Sequence, residues 1–259
     1  MNNSKSKAAI VMAAGKGTRM KSELPKVLYP VLGRPMIEYV LDVLETSVER
    51  ILVVVGYRSD LVRETLSNRR NLQFVEQREQ LGTGHAVMVC RDELVGYDGS
   101  LLVLAGDCPM VQHETIDKLF KTYELTSKES DKEIVSCVLG TATKDNPTGL
   151  GRIVRDLNGE FTGIVEERDA TPEQRKIKEV NMSYYIFHSP DLLNALSELR
   201  SDNSQNEYYI TDVPAVLKRQ LKHVIATPIL KPIETLGINT IEEAQIVEQT
   251  LQNLQNRNL

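Results

Sequence analysis

The chain has 259 residues, a formal net charge of −5 at pH 7, no tryptophan and 5% aromatic residues. Such a length allows one large domain or two small ones. The low aromatic content and the absence of a long basic run argue against a surface that coats nucleic acid, and no apolar stretch approaches the roughly 20 residues of a membrane span. We therefore expect a cytoplasmic protein that binds neither nucleic acid nor a membrane.

The first 140 residues alternate short apolar runs with amphipathic segments, which is typical of strand, helix, strand units around a parallel sheet. The predicted strands cover residues 8–12, 51–55, 72–75, 101–104 and 134–139. The predicted helices between them cover residues 35–45, 83–94 and 114–125, and Pro35 suits the first helical position. Right-handed crossovers would place helices on both faces of the sheet and ligands beyond the carboxyl ends of the strands.

After residue 141 the pattern changes, because glycine-rich turns separate short β-like runs and Asn158-Gly159 gives a hairpin signal. We predict a small antiparallel β insertion here. The remaining predicted elements are a strand at 178–188, helices at 190–199 and 208–220, a strand at 223–229 and a closing helix at 240–254. The expected fold class is therefore α/β, with a Rossmann-like, mixed but mainly parallel sheet.

The number and spacing of the cysteines argue against structural disulfides and against a zinc site. Cys90, Cys108 and Cys137 are odd in number and widely spaced, and no C-x-x-C pair occurs. We predict that the three thiols are reduced and mostly buried, with no disulfide framework and no zinc site.

The loop "AAGKGTRM" after the first predicted strand has the features of a phosphate cradle. Gly15 and Gly17 allow a tight turn that presents backbone amides, and Arg19 and Lys26 can reach over a highly charged ligand such as a triphosphate. The loop matches neither the Walker A motif nor the G-x-G-x-x-G fingerprint, which weakens ATPase and NAD-binding interpretations. The alternative is a tight turn with solvated lysines.

Two polar residues lie at the ends of predicted elements, and the first of them could hold a metal. Asp107 ends an apolar strand where the sheet meets solvent, and it is equally suited to forming a turn. Asn239 precedes the closing helix, where its residue type alone favours a helix cap.

The motifs "MAAGKGTRM", "LPKVL", "EQLGTGHA", "AGDCPM", "PTGLGRIV", "GIVEERDAT" and "LGIN" resemble those of the sugar-phosphate nucleotidyltransferases. They are most similar to the uridylyltransferase domain of bacterial N-acetylglucosamine-1-phosphate uridylyltransferases, and the match runs in order over residues 8–239. The resemblance implies an enzyme of cell-wall precursor biosynthesis that uses Mg²⁺, UTP and N-acetylglucosamine 1-phosphate to form UDP-N-acetylglucosamine and pyrophosphate. Another sugar 1-phosphate, such as glucose 1-phosphate, or a non-catalytic nucleotide-sugar binder remain as alternatives.

The resemblance also implies a role for individual residues. The nucleotide would be bound by Met12, Ala13, Ala14 and Gly15 and, at the uracil base, by Gln77, Gln80, Gly82 and Thr83. Arg19 and Lys26 would be the catalytic cations on the triphosphate, Asp107 and Asn239 the metal ligands, and Gly151, Glu166 and Asn181 the sugar contacts. Without the resemblance, Thr83 would be expected to cap a helix and Glu166 to belong to a solvated charge cluster.

On this basis we expect one nucleotidyltransferase domain over residues 1–259, with a nucleotide-binding half at 1–140, a sugar-binding half at 141–240 and a C-terminal helix at 241–259. Ala105, Leu150, Met182-Ser183 and Asn206 depart from the family pattern, and all four departures fall on the expected sugar side. Bifunctional relatives continue into a left-handed β-helix that acetylates glucosamine 1-phosphate, whereas this sequence ends after one helix. We therefore expect no acetyltransferase activity, and the oligomeric state is left open.

Overall fold

One nine-stranded sheet organises the protein in a computed structural model that describes residues 6–129 and 134–257. The strands are β1 (Lys7–Met12), β2 (Pro30–Val31), β3 (Arg34–Pro35), β4 (Arg50–Val55), β5 (Leu72–Glu76), β6 (Ser100–Ala105), β7 (Val135–Thr143), β8 (Arg152–Arg155), β9 (Phe161–Val165), β10 (Glu179–His188) and β11 (His223–Thr227). The helices are α1 (Met36–Ser47), α2 (Ser59–Thr65), α3 (Thr83–Met88), α4 (His113–Glu129), α5 (Ser189–Leu196), α6 (Val213–Arg219) and α7 (Ile241–Arg257). β2 and β3 form a separate two-stranded ribbon.

The main sheet has the order β11-β7-β10-β6-β1-β4-β5, with β8 and β9 attached beside β10. β1 is parallel to β4 and β6, whereas β10 runs antiparallel to both β6 and β7. Met12 pairs with Ala105 and with Val54, so β1, β4 and β6 end at the same edge. Loops that follow these strands therefore meet there. The α/β class and the mixed, mainly parallel sheet are confirmed.

The predicted hairpin at Asn158-Gly159 is present. β8 and β9 pair antiparallel, Gly159 has a left-handed φ of +83°, and Asp156 Oδ1 accepts the backbone amides of Asn158 and Glu160 at 2.9 Å each. A side-chain acceptor of this kind closes the turn without further residues. The small antiparallel insertion is thereby confirmed.

Several predicted element bounds are wrong. The strand at 134–139 continues to Thr143, and the helix at 83–94 ends at Met88, before a separate 3₁₀ turn over Asp92–Leu94. Pro35 lies in β3, one residue before α1. The short helix α2 was not predicted.

The predicted helix at 208–220 begins five residues late, at Val213. Tyr208 is instead held in an extended segment, because its amide donates to Leu81 O at 2.8 Å and its carbonyl accepts from Gly84 N at 2.7 Å. A partner more than 120 residues away thus competes with local helix formation.

Two apolar clusters cover the two faces of the sheet, and a third lies away from it. The buried members of this third cluster are Met20, Val31, Met36, Met110, Ile238, Ala244 and Val247. Cys90, Cys108 and Cys137 are free and buried, as predicted. No helix in the described part of the chain is long and apolar enough to cross a membrane.

Candidate functional site

A cavity of about 260 Å³ opens where β1 and β6 end. All eight residues predicted to bind the nucleotide line it, together with Lys26 and Asp107. The remaining lining residues are Val27, Ala86, Ala105 and Glu207. Ala105, expected on the sugar side, therefore belongs to the same cavity as the nucleotide residues. We call this space the nucleotide cavity.

The loop after β1 is fixed through its backbone. Ala13 N donates to Val54 O at 2.9 Å, Ala14 O accepts from Tyr57 N at 3.1 Å, and Met12 O accepts from Gly106 N at 3.0 Å. Neighbouring strand ends therefore tie the loop down.

Gly17 brings Lys26 into the cavity. Its φ is +68°, and a Cβ atom built on it would lie 2.6 Å from Lys26 Cβ. A left-handed backbone and so close an approach are available only to glycine. The Lys26 side chain is only 13% exposed, so the alternative of a solvated lysine is wrong for this residue.

Cations and oxygen ligands converge at the mouth of the nucleotide cavity. Lys26 Nζ donates to the Asp107 carboxylate and, at 2.8 Å, to Asn239 Oδ1. Asn239 Oδ1 also accepts from Arg19 Nη2 at 2.9 Å. One hydrogen-bonded cluster therefore contains all four residues that were expected to have catalytic or metal-binding roles. Its members are distant in sequence, since Asn239 lies 220 residues after Arg19.

Asn239 is not the cap of α7. Glu243 N donates to Thr240 Oγ1 at 3.2 Å, so Thr240 caps the helix instead. Ile238 N donates to Asp107 O at 3.2 Å, which joins the backbone beside Asn239 directly to the other expected metal ligand. The Asn239 side chain is thereby directed at Lys26 rather than at the helix.

The oxygens of Asp107 and Asn239 fit a magnesium ion. Both contact the same ammonium nitrogen, so they lie close enough to face one small cation. A carboxylate and an amide oxygen suit Mg²⁺, which usually completes its coordination with phosphate oxygens and water. Within residues 6–129 and 134–257, no cluster of three His, Cys, Asp or Glu side chains offers a metal site made by protein alone.

A buried thiol supports Asp107. Cys108 Sγ lies 3.6 Å from Asp107 Oδ1 in donor geometry. Burial raises the pKa of the Cys108 thiol well above its ordinary value, and the Asp107 carboxylate adds to this effect. The sulfur is therefore a protonated donor at neutral pH.

Residues 77–83, which contain the expected contacts to the uracil base and are called the base segment, are held in place by their two glutamines. Gln77 is buried, and its Nε2 donates to Gly82 O at 3.1 Å and contacts His85 Nδ1 at 3.1 Å. Gln80 Nε2 donates to Gln77 O at 2.9 Å. Thr83 does not cap α3, since the capping position is Gly82 and Thr83 Oγ1 accepts from Ile210 N at 3.1 Å. Thr83 therefore ties the base segment to the residues before α6.

The three expected sugar contacts also lie together. Asn181 N donates to Gly151 O at 2.9 Å, and a Cβ on Gly151 would lie 3.4 Å from Glu166 Oε1. Asn181 is buried, and its Oδ1 accepts from Tyr185 Oη at 2.9 Å and from Ser183 N at 3.2 Å. The structure thus joins the insertion to β10 at these residues.

Glu166 is not part of a solvated charge cluster. It is half-buried, and burial raises its pKa although a hydrogen bond from Thr211 opposes the shift. It lines a second cavity of about 290 Å³, whose other lining residues are Ile164, Val165, Asp169, Asp202, Asn203, Tyr209 and Asp212. A larger cavity of about 740 Å³ between α6 and the segment that follows α5 contains none of the predicted site residues.

Glu207 was missed by sequence analysis as an individual site residue. It lines the nucleotide cavity, whereas Tyr209, two residues later, lines the second cavity. Glu207 belongs to the segment "NEYYITD", directly after Asn206, which was singled out only as a departure from the family pattern. The segment therefore separates the two cavities.

Comparisons with known proteins find long relatives that share much of this sequence. The bifunctional protein GlmU of Geotalea daltonii is 41% identical over 242 residues, which are 93% of this chain and 51% of that protein. GlmU of Caldicellulosiruptor saccharolyticus is 42% identical over 250 residues, and GlmU of Lactococcus lactis subsp. cremoris is 45% identical over 235 residues. These cover 96% and 90% of this chain, and 52% and 49% of the relatives, so the chain spans about half their length.

The fold is shared with a solved structure of UDP-glucose pyrophosphorylase complexed with UDP-glucose. The TM-score is 0.74 at 19% sequence identity, and the superposition covers 96% of this chain and 99% of the other. The family model for the MobA-like NTP transferase domain matches residues 9–216. Since this match covers well over half of the sequence, the chain belongs to the MobA-like NTP transferase domain family.

Proposed function

We propose that the protein transfers a uridylyl group from UTP to N-acetylglucosamine 1-phosphate, with Mg²⁺ as cofactor, and releases pyrophosphate. The sugar phosphate would attack the α-phosphorus of UTP directly. One observation carries the proposal: the eight expected nucleotide residues, Lys26 and Asp107 line one cavity, and Asn239 and Arg19 reach its mouth. The GlmU relatives, at 41 to 45% identity, support sugar-1-phosphate uridylyl transfer as the class of reaction.

The chemistry needs charge neutralisation more than proton transfer, because the attacking phosphate already carries negative charge. Lys26 and Arg19 supply fixed positive charge at the cavity mouth, and a triphosphate would compete with Asp107 and Asn239 for their donors. Asp107 and Asn239 would hold Mg²⁺, which adds further positive charge over the phosphates. The backbone of residues 12–15 and the base segment would orient the nucleotide.

The sugar would lie on the side of Gly151, Glu166 and Asn181. The Glu166 carboxylate can accept from sugar hydroxyls, the Gly151 amide can donate, and Asn181 would donate from Nδ2 because its Oδ1 already accepts two hydrogen bonds. Glucose 1-phosphate is the alternative substrate, since the departures from the family pattern at Leu150 and Met182-Ser183 adjoin the expected sugar contacts Gly151 and Asn181. In this proposal residues 1–140 supply most of the nucleotide site and residues 141–240 most of the sugar site.

A substrate panel tests the proposal. Purified protein is incubated with Mg²⁺, one of UTP, CTP, ATP, GTP or dTTP, and either N-acetylglucosamine 1-phosphate or glucose 1-phosphate, and pyrophosphate is measured. We expect the highest kcat/KM for UTP with N-acetylglucosamine 1-phosphate. Asp107→Ala is the control for a contaminating enzyme, because it removes an expected metal ligand.

Three outcomes would change the proposal. A higher kcat/KM with glucose 1-phosphate would make glucose 1-phosphate the sugar substrate and leave the proposed reaction unchanged. Preference for another nucleoside triphosphate would show that the proposed contacts to the uracil base are wrong. Tight binding of UDP-N-acetylglucosamine without turnover in any combination would favour the non-catalytic binder. The expectation of a cytoplasmic location stays a prediction.

A further inference from the structure

We propose that Glu243 is a positioning residue that holds Asn239 toward the metal, an inference that rests on the metal role of Asn239 in the proposed function. Glu243 lies in the first turn of α7, and its Oε2 accepts two successive backbone amides, from Asn239 at 2.6 Å and from Thr240 at 3.1 Å. Hydrogen bonds to a charged acceptor are about twice as strong as neutral ones. The backbone that carries the Asn239 side chain is therefore clamped from behind.

The clamp acts on a segment that is already fixed on its other side. Ile238 N donates to Asp107 O at 3.2 Å, so the residue before Asn239 is tied to the other expected metal ligand. The backbone at Asn239 is thus held by hydrogen bonds on both sides, to the carbonyl of Asp107 and to the carboxylate of Glu243 in α7. Its Oδ1 is held within 2.8 Å of Lys26 Nζ, where the expected metal ligands converge.

The third apolar cluster connects α7 to the rest of this site. Met20 follows Arg19, Met110 lies three residues after Asp107, and Ile238 precedes Asn239; all three are buried in this cluster. Ala244, next to Glu243, is buried in it as well. The first turn of α7 therefore packs against the loops that carry the charged residues. The backbone on both sides of Asn239 and Glu243 is therefore held by buried neighbours, Ile238 and Ala244.

Helix capping alone is the competing explanation, and the chain provides controls for it. Thr240→Ala removes the bond from Glu243 N to Thr240 Oγ1 but leaves the Glu243 carboxylate on the Asn239 amide. Glu248→Ala removes a second α7 carboxylate that accepts a backbone amide, that of Leu32 at 2.8 Å, in the turn between β2 and β3. Each control variant removes one hydrogen bond of α7 and keeps the hydrogen bond from the Asn239 amide to Glu243.

The test measures how much a metal ion strengthens UTP binding, without sugar phosphate and without turnover. The affinity for UTP is measured by calorimetry with Mn²⁺ and again with EDTA, and the ratio of the two dissociation constants is the metal-dependent gain. Damage to the nucleotide cavity lowers both affinities and leaves this gain unchanged. Loss of metal positioning lowers the gain itself.

We expect Glu243→Ala to reduce the metal-dependent gain about 10-fold, as for other groups that orient a metal ligand. Glu243→Gln, which keeps a neutral acceptor, should reduce it about threefold and decides the matter if the alanine variant does not fold. Thr240→Ala and Glu248→Ala should stay within about twofold of wild type. Equal gains in Glu243→Gln, Glu248→Ala and wild type would overturn the inference.

Asn239→Ala separates this inference from the proposed function. If it abolishes the gain while both Glu243 variants leave it unchanged, the positioning role is wrong and the metal site stands. If Asn239→Ala itself leaves the gain unchanged, the metal role in the proposed function is overturned, and the inference with it.

Discussion

The ammonium of Lys26 donates to the carboxylate of Asp107 across the mouth of the nucleotide cavity, although 81 residues separate the two in sequence. Their side chains are 13% and 25% exposed, so the pair is screened less than a surface ion pair. Each residue also belongs to the cluster that includes Asn239. In the proposed function the two charges act on the bound triphosphate and its metal.

Lys26→Ala and Asp107→Ala should each lower kcat for uridylyl transfer by about 10² to 10³, because each removes a charge aimed at the phosphates. Their melting temperatures should change by only about 2 to 4 °C, as expected for a loss near 1 kcal/mol in a domain of this size. Activity assays and thermal unfolding measure the two effects. Lys178→Ala, which breaks an exposed ion pair with Asp145, is the control and should change neither. A wild-type rate in either site variant would remove that residue from the mechanism.

Gly17→Ala should reduce kcat/KM for UTP by about 10- to 100-fold, because the new Cβ would collide with Lys26 Cβ and displace the cation. The left-handed φ adds a stability cost of about 1 to 2 kcal/mol. Gly33→Ala is a matched control, since Gly33 has a φ of +74° but nothing within 4 Å of its added Cβ. Both variants should lose stability, and only Gly17→Ala should lose activity beyond it. Equal activity losses would show that backbone strain, not the contact with Lys26, is responsible.

The raised pKa of Glu166 predicts a pH dependence for sugar binding. Burial favours the protonated form, so the carboxylate needed to accept sugar hydroxyls is lost at a pH above the ordinary glutamate value of 4.5. We expect kcat/KM for the sugar phosphate to fall as pH decreases through this raised pKa. Glu166→Gln should remove that limb of the pH profile and lower kcat/KM at neutral pH.

The phosphate of the substrate also titrates, near pH 6, so the comparison with the variant isolates the protein group. Glu160→Gln changes an exposed carboxylate in the hairpin turn and should keep the wild-type profile. Superimposable profiles for wild type and Glu166→Gln would exclude Glu166 from sugar binding.

Asp191 predicts the pH dependence of stability. Burial alone would raise the pKa of Asp191, but Lys222, Ser136 and His188 together hold it below its ordinary value of 3.8, and His188 also contacts Asp98. A lowered pKa contributes stability that is present above pH 3.8 and lost as pH falls through the lower folded value. Asp191→Asn should therefore reduce the free energy of unfolding by about 3 kcal/mol at neutral pH and flatten its fall below pH 4.

Denaturant unfolding between pH 3 and 7 measures this effect. The control is Asp145→Asn, because the pKa of Asp145 is also lowered, by Lys178, but its side chain is almost fully exposed. An exposed pair contributes little, so this variant should follow the wild-type curve. A curve for Asp191→Asn that parallels wild type down to pH 3 would contradict the assignment.

Sequence patterns predicted those elements whose shape is decided locally. The strand β4 is a continuous apolar run, as expected of a strand buried on both faces. The turn at Asn158-Gly159 is closed by the nearby side chain of Asp156, which accepts a backbone hydrogen bond. Tyr208 shows the limit, since its extended backbone depends on Leu81 and no local pattern carries that information.

The candidate site shows the same division. The loop with Gly15 and the strand end at Asp107 were visible from spacing, whereas Asn239 looked like a helix cap until the resemblance indicated otherwise. The cap is one residue later, at Thr240, where Thr240 and Glu243 form the T-x-x-E capping box with both of its hydrogen bonds, a pattern that the residue type of Asn239 alone does not reveal. Glu243 acts through the backbone of Asn239, so its residue type gives no sign of that contact.

The most direct test of the central claim follows the α-phosphorus. UTP labelled with ³²P at the α-position is incubated with the wild-type protein, Mg²⁺ and N-acetylglucosamine 1-phosphate, and the labelled products are separated. We expect label to appear in UDP-N-acetylglucosamine in step with pyrophosphate, only when the sugar phosphate is present, and we expect Asp107→Ala to abolish this transfer. Label released as UMP without the sugar phosphate, or no transfer from UTP that is demonstrably bound, would contradict this expectation.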